Sequence, residues 1–397
     1  MVQTNLTVTA TIKPRIASID LLKGIVMVVM ALDHTREYFH APAFIYNPGD
    51  PVHSSLPIFF TRFITHFCAP AFSFLAGLSA FMISKRKSKK ELSIFLLKRG
   101  LWLLIMELTV VNFGWYFDVH FRSIDLIVIW SLGISMMALA GLIYVPGKWL
   151  LLFCCIVIFG HNLLDNIHFE NNIIWGMLHE EKVFPVSGIY KIYTGYPVLP
   201  WIAIMALGYS FGSFYLPPFD RDKRRKLFNT VGIIALLLFI FLRLTNLYGD
   251  ERTFINYHSL SKDLISFFNP TKYPPSLLYL LMTLGAVLIF LANSENLKGK
   301  VVDFFTTFGR VPFFYYILHL YLIHIIAILF AQLSGFGWQH FILTAWTSPN
   351  PDLQGYGYPL WVVYLVWMSV ITLLYPLCKK FDSYKQSHKE NQYLSYL

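Results

Sequence analysis

Charged side chains are scarce in this sequence: Asp, Glu, Lys and Arg make up 14% of its 397 residues, against about a quarter in an ordinary soluble domain. With 56% hydrophobic residues and 36 Phe, the chain has more apolar surface than a water-soluble core can hide, which excludes a soluble globular protein. Cysteine is nearly absent too. The four present, Cys68, Cys154, Cys155 and Cys378, fall in or beside apolar runs, so no extracytoplasmic disulfide framework is expected and they read as core residues. No Pro/Gly/Ser-rich linker or low-complexity tract divides the chain, so a single membrane domain is expected. The opening MVQTNLTVTATIKPR lacks the apolar core of a cleavable signal peptide, and the first apolar helix is expected to act as an uncleaved insertion signal.

What is present is a series of long apolar runs, starting near Leu21, Ile58, Leu97, Ile124, Trp149, Pro197, Thr230, Ser276, Val311 and Pro359. Each is long enough to cross a hydrocarbon core. The expected fold is therefore all-α, a polytopic transmembrane bundle of about ten helices, with tails over 1–14 and 379–397 flanking a membrane domain over 15–378. Short loops rich in Lys and Arg stay in the cytoplasm. Placing the N-terminus there collects 23 of the 32 Lys and Arg on one side, so both termini are expected to be cytoplasmic. The net charge of +10 is then topological, with no nucleic-acid partner implied. The longer loops, 35–57, 160–196, 248–275 and 335–358, fall on the other side and are rich in Trp, Tyr, Asn and His. Loops of that size can cap a cavity.

Ionisable groups inside such spans each cost about 2.5–3.5 kcal/mol to insert, so they mark cavities or partners. Lys23 and His34 stand eleven positions apart on the first helix. Eleven steps of about 100° return to within roughly 20° of the starting azimuth and climb about 16 Å, so both share one face. Asp33 points about 100° away from His34, which makes their direct pairing unfavourable. Arg62 and His66 are four apart on the second helix. Further polar positions are Arg36, Glu37 and His40 just past the first helix, Glu107 and Asn112 on the third, Arg243 on the seventh, and Arg310, His319 and His324 on the ninth. His319 and His324 lie about 140° apart, so they cannot both face one cavity. The FFYY run at Phe313 reads as packing. No HxxxH or HExxH pair occurs on a helix, and no metal site is expected.

The string RIASIDLLKGIVMVVMALDH resembles the first catalytic helix of the transmembrane acyltransferase superfamily, where the acyltransferase-3 branch places a His after an Arg and ten residues. Here Lys23 stands in place of that Arg, and ammonium is a poorer phosphate clamp than guanidinium. REYFHAP at Arg36, THFCAPAFSFLAG at Thr65, YPVLPWIAIMALGYSFG at Tyr196, YPPSLLYLLMTLG at Tyr273 and FGRVPFFYYILHLYLIH at Phe308 resemble the heparan-α-glucosaminide N-acetyltransferase-like branch. In that branch Asn occupies the place of His34 and the reactive histidine lies further on, which makes His40 the second candidate.

The resemblance implies transfer of an acetyl or other acyl group from cytoplasmic acyl-CoA, usually acetyl-CoA, to a carbohydrate or lipid-linked acceptor across the bilayer. The membrane expected is a bacterial inner membrane, and a homodimer is compatible with the family. His34, His40 and Asp33 are then the catalytic candidates. Lys23, Arg310, Arg62, His66, Asn112 and His319 are candidates for holding the donor. An imidazole at position 34 can serve as general base or accept the acyl group itself. The rival reading is a proton-coupled small-solute transporter in which buried His, Asp and Arg residues form a relay.

Overall fold

In the computed structural model, which describes residues 16–347, 349–388, 390, 391 and 394, the first helix is the axis. The N-terminal tail expected over 1–14 lies outside the described residues. α1 (Ala17–Phe39) is buried along nearly its whole length, and Pro42, with no N–H to give, keeps it from running on. Next come α2 (Leu56–Phe63) and α3 (Cys68–Ser84), joined by a 3-10 turn over Ile64–Phe67. α4 (Lys89–Met106) passes through a π-helical turn, Glu107–Val111, into α5 (Asn112–Tyr116). They are followed by α6 (Val128–Leu142), α7 (Gly147–Gly160), the short α8 (Ile173–Leu178), α9 (Val198–Phe211) and α10 (Arg221–Thr245). The chain closes with α11 (Leu260–Phe267), α12 (Leu277–Ser294), α13 (Lys300–Arg310), α14 (Pro312–Leu333) and α15 (Leu360–Ser387).

The protein is a multi-pass, all-α membrane protein. Among the described residues seven helical segments are long and apolar enough to cross a membrane, against ten runs expected. The other three runs are helical but differ in kind. α1 carries five charged residues inside the bundle, α4 has five among its first eleven residues, and α6 is only 15 residues long. The run expected from Ile124 opens as a strand, β1 (Ser123–Asp125), which pairs in parallel with β3 (Tyr190–Tyr193); β2 (Val183–Ser187) lies antiparallel on the far side of β3. α15 continues to Ser387, through much of the stretch read as a tail after Cys378. All four cysteines are free.

Contacts between helix ends gather the cation-rich segments at one end of the bundle: Ser93 donates to the Ala140 carbonyl, Arg224 pairs with Glu295, and Arg310 pairs with Asp382. At the opposite end Arg243, fully buried at the end of α10, donates to the carbonyls of Phe267, Arg252 and Ser266 and faces Asp250 at 3.7 Å. One guanidinium thereby organises the 248–275 loop.

Two glycine crossings set the closest helix pairs. A methyl group built on Gly24 would lie 1.8 Å from the Phe305 carbonyl oxygen, and one on Gly309 would lie 1.8 Å from that of Asp20. Gly77 and Gly208 do the same for α3 and α9, at 1.8 Å from Met205 O and 2.0 Å from Phe74 O. Small residues of this kind let membrane helices approach backbone to backbone.

Candidate functional site

Met30, Asp33, His34 and Glu37 recur at helical spacing on one face of α1, and they form one wall of a cavity of about 100 Å³. Arg62, Thr65, Cys68, Ala69 and Phe72 form the second wall. A proline shapes that wall. Pro70 has no N–H to offer the carbonyl of His66 four residues back, the helix tightens to a 3-10 turn there, and the Tyr279 hydroxyl donates to the freed carbonyl at 2.6 Å. The turn brings Arg62 and Thr65 onto Asp33.

Asp33 is the hub of a buried charge cluster. It accepts from Arg62, from Thr65 Oγ1 at 3.1 Å, and from Arg36 Nε and Nη2 at 3.3 and 3.2 Å. Arg36 also stands 3.6 Å from Glu37, and Lys272 reaches the cavity from the 248–275 loop. Three cations thus face two carboxylates, so the cavity carries an excess of one positive charge when all five are ionised.

His34 adjoins this cluster without pairing to Asp33. Its Nδ1 lies 2.8 Å from His319 Nε2, and His319 Nδ1 lies 2.9 Å from the Tyr315 carbonyl oxygen. A carbonyl only accepts, so His319 carries its proton on Nδ1 and its Nε2 presents a lone pair. His34 must then donate from Nδ1, which leaves His34 Nε2 as a bare, proton-accepting nitrogen. Trp115 meets the His34 ring edge-on at 4.7 Å between centroids, and His319 stacks at 5.0 Å. The imidazole is held in both tautomer and orientation.

Replacing His319 by Leu removes the acceptor that orients His34. Any turnover that uses His34 Nε2 as a base should fall by about 10²-fold, whereas His319→Gln, whose amide oxygen can accept the same proton, should restore most of it. Steady-state rates of the two variants check this; equal losses in both would deny His319 a positioning role.

Among the residues singled out from sequence, the structure brings together Asp33, His34, Arg36, Glu37, Arg62 and His319. The others lie elsewhere. Lys23 donates to Ser79 Oγ at 2.9 Å, toward the cationic end and off the cavity wall. Arg310 is there too, 3.3 Å from Asp382 on α15. His40 follows the last residue of α1 and is 2% exposed; burial, and then the Arg36 cation, holds it down at about 4, so it is neutral at pH 7. His66 turns its Nδ1 to the carbonyls of Arg62 and Phe63. Asn112 gives its amide to the carbonyls of Glu107 and Asp125 and accepts from Asp125 N at 2.7 Å, bracing β1 against the π-helical turn. His324 sits between the carbonyls of Gly114 and Phe341.

Sequence reasoning missed much of the remaining wall: Trp115, Tyr193, Tyr196, Lys272, Tyr273, Tyr316 and Trp346. Three of the four long loops contribute, and their aromatic richness was the available signal. Tyr316 comes from the run read as packing. Its hydroxyl and the Trp115 indole N–H are buried beside one another and make no hydrogen bond of ordinary geometry, which leaves two unsatisfied donors in the wall.

The family model for the heparan-alpha-glucosaminide N-acetyltransferase catalytic domain matches residues 15–243. The match takes in Asp33, His34, Arg62 and Trp115, and stops before Lys272, Tyr316 and His319. No curated relative matches the chain.

Proposed function

The chain belongs to the heparan-alpha-glucosaminide N-acetyltransferase catalytic family and is a membrane acetyltransferase, and we propose that it moves an acetyl group from cytoplasmic acetyl-CoA to a sugar or other cell-envelope acceptor beyond the bacterial inner membrane. The observation that carries this reading is the bare Nε2 of His34 on the wall of a cavity beside donors that lack a partner.

In this reading the coenzyme's phosphates meet the cationic end, where Arg310, Lys23 and the cations from Lys85 into the first half of α4 supply positive charge. The thioester carbonyl reaches the cavity. His34 Nε2 takes the proton of the acceptor hydroxyl or amine as its oxygen or nitrogen attacks that carbonyl, and the imidazolium then returns the proton to the departing thiolate. His319 accepts from His34 Nδ1 throughout and stabilises the charged ring, much as a carboxylate does in a hydrolase triad. Tyr316 Oη and Trp115 Nε1 donate to the tetrahedral oxyanion, and the surplus cation of the Arg36, Arg62 and Lys272 set adds to its stabilisation. Tyr193, Tyr196, Tyr273 and Trp346 offer flat faces on which an acceptor ring packs.

A ligand that binds only the folded state stabilises it, by about 2.7 kcal/mol at a hundred times its dissociation constant. Acetyl-CoA should therefore raise the melting temperature of the purified protein, with free CoA and acetate as controls. No shift up to millimolar acetyl-CoA, together with proton-driven solute uptake by reconstituted vesicles, would replace transfer by transport.

A further inference from the structure

Away from the cavity, at the end of α7, three metal-ligating side chains converge. His161, Asp165 and His179 each place one donor atom within 4.8 Å of the others. His161 and Asp165 are four residues apart on the 3-10 turn that ends α7 and just beyond it, and His179 follows α8.

His161 is 2% exposed, and neither of its ring nitrogens has a hydrogen-bond partner. An imidazole buried with both nitrogens idle forfeits about 1–3 kcal/mol of desolvation that nothing offsets. His179, 3% exposed, uses Nε2 toward Asp165 Oδ1 at 3.0 Å. Asn162 donates to Asp165 Oδ2 at 2.7 Å, which fixes the carboxylate with Oδ1 turned to the histidines. Metal-bound carboxylates are oriented by outer hydrogen bonds of this kind.

We propose that His161, Asp165 and His179 bind a divalent transition metal ion, zinc by donor set, at the outer end of the bundle. Two neutral imidazoles and one carboxylate form a common three-residue zinc set, with water in the fourth position. Ligand atoms around tetrahedral zinc stand about 3.3 Å apart. The His179–Asp165 pair is already near that separation, and closing on the third ligand needs a movement of about 1 Å or a little more. Binding releases whatever protons the imidazoles carry.

The site lies at a junction. Asn162 Oδ1 accepts from the backbone N–H of Leu277 at the start of α12. Two residues beyond His179, Glu181 accepts from the hydroxyl of Tyr193 on the cavity wall. The ion thus ties the loop that carries Tyr193 to α7 and α12, a structural role that does not depend on the reaction proposed above.

The test is metal content of the full-length protein, purified without a histidine tag. Elemental analysis should find about one zinc per chain. Metal-depleted protein should bind Co²⁺ with the visible bands of tetrahedral cobalt, and zinc should raise its melting temperature. His161→Phe is the discriminating variant: the nitrogens it deletes touch no protein group, so the variant should still elute as folded protein while losing zinc, cobalt bands and thermal response together. Asp165→Asn, whose amide oxygen still accepts from Asn162 and whose amide nitrogen can donate to Nε2 of the other His179 tautomer, should weaken zinc binding at least tenfold. Wild-type protein without zinc and unresponsive to either metal would overturn the proposal, as would equal metal uptake by wild type and both variants.

Discussion

His34→Asn should lower acetyl transfer by roughly 10²–10⁴-fold, the range lost with a general base. Asparagine is the informative replacement because its amide nitrogen falls near the position of Nδ1 and can still donate to His319, so the change removes Nε2 and little else. The neighbouring charge cluster, built on Asp33, makes no hydrogen bond to His34 and should stay intact. Acetyl-CoA should therefore stabilise the variant to the extent expected for the wild type. The expected result is a selective loss of turnover, read as product formation with donor binding preserved. Transfer within about threefold of wild type would remove His34 from the proton path and pass the role to His40. The parallel variant His40→Gln is expected to lose little, because His40 is buried away from the cavity wall.

Gly24→Val should be the most damaging change to the fold. The methyl carbon of even an alanine would stand 1.8 Å from the Phe305 carbonyl oxygen, a backbone atom that cannot swing aside. α1 and α13 would have to separate by about 1.5–2 Å to restore van der Waals contact, at a cost at or above the roughly 1–3 kcal/mol of ordinary overpacking. The branched side chain adds to it. Thermal unfolding should show a large fall in melting temperature or no accumulation of protein. Gly141→Ala is the control, because nothing stands within 4 Å of a methyl group there and alanine favours a helix. A Gly24 variant as stable as that control would mean that the crossing is looser than described.

How much of this was legible beforehand depends on whether the relation was local. Hydrophobic runs and helical spacing place α1, and with it Asp33, His34 and the offset of Lys23. The 140° angle between His319 and His324 agrees with the two turning to different partners, one to His34 and one to the carbonyls of Gly114 and Phe341. Partners distant in sequence left no such trace. His34 meets His319 across 285 positions, and β1 was taken into a helix because its pairing partner, Tyr190–Tyr193, lies far along the chain. The break at His66 is local, yet Arg62, His66 and Pro70 were read as one helical face, without the tightening of the turn that Pro70 imposes. α13 was missed because its apolar residues occupy only one side of a short, charged helix. The metal cluster has only its His161 and Asp165 half at helical spacing, and its third member comes from beyond the next loop.

The Gly24–Gly309 crossing has a bearing on chemistry that its place at the cationic end conceals. Ten residues beyond Gly24 comes His34, and ten residues beyond Gly309, past the break at Val311 between α13 and α14, comes His319, so α1 touches these two consecutive helices at matched residue offsets. The glycines act as a fulcrum and the imidazoles as the tips of two equal arms. One residue inserted or deleted within either arm would turn its histidine by about 100° and break the relay while every side chain named in it stayed the same. Among relatives built on this plan, the count of residues along each arm should be held more strictly than most of the identities it spans.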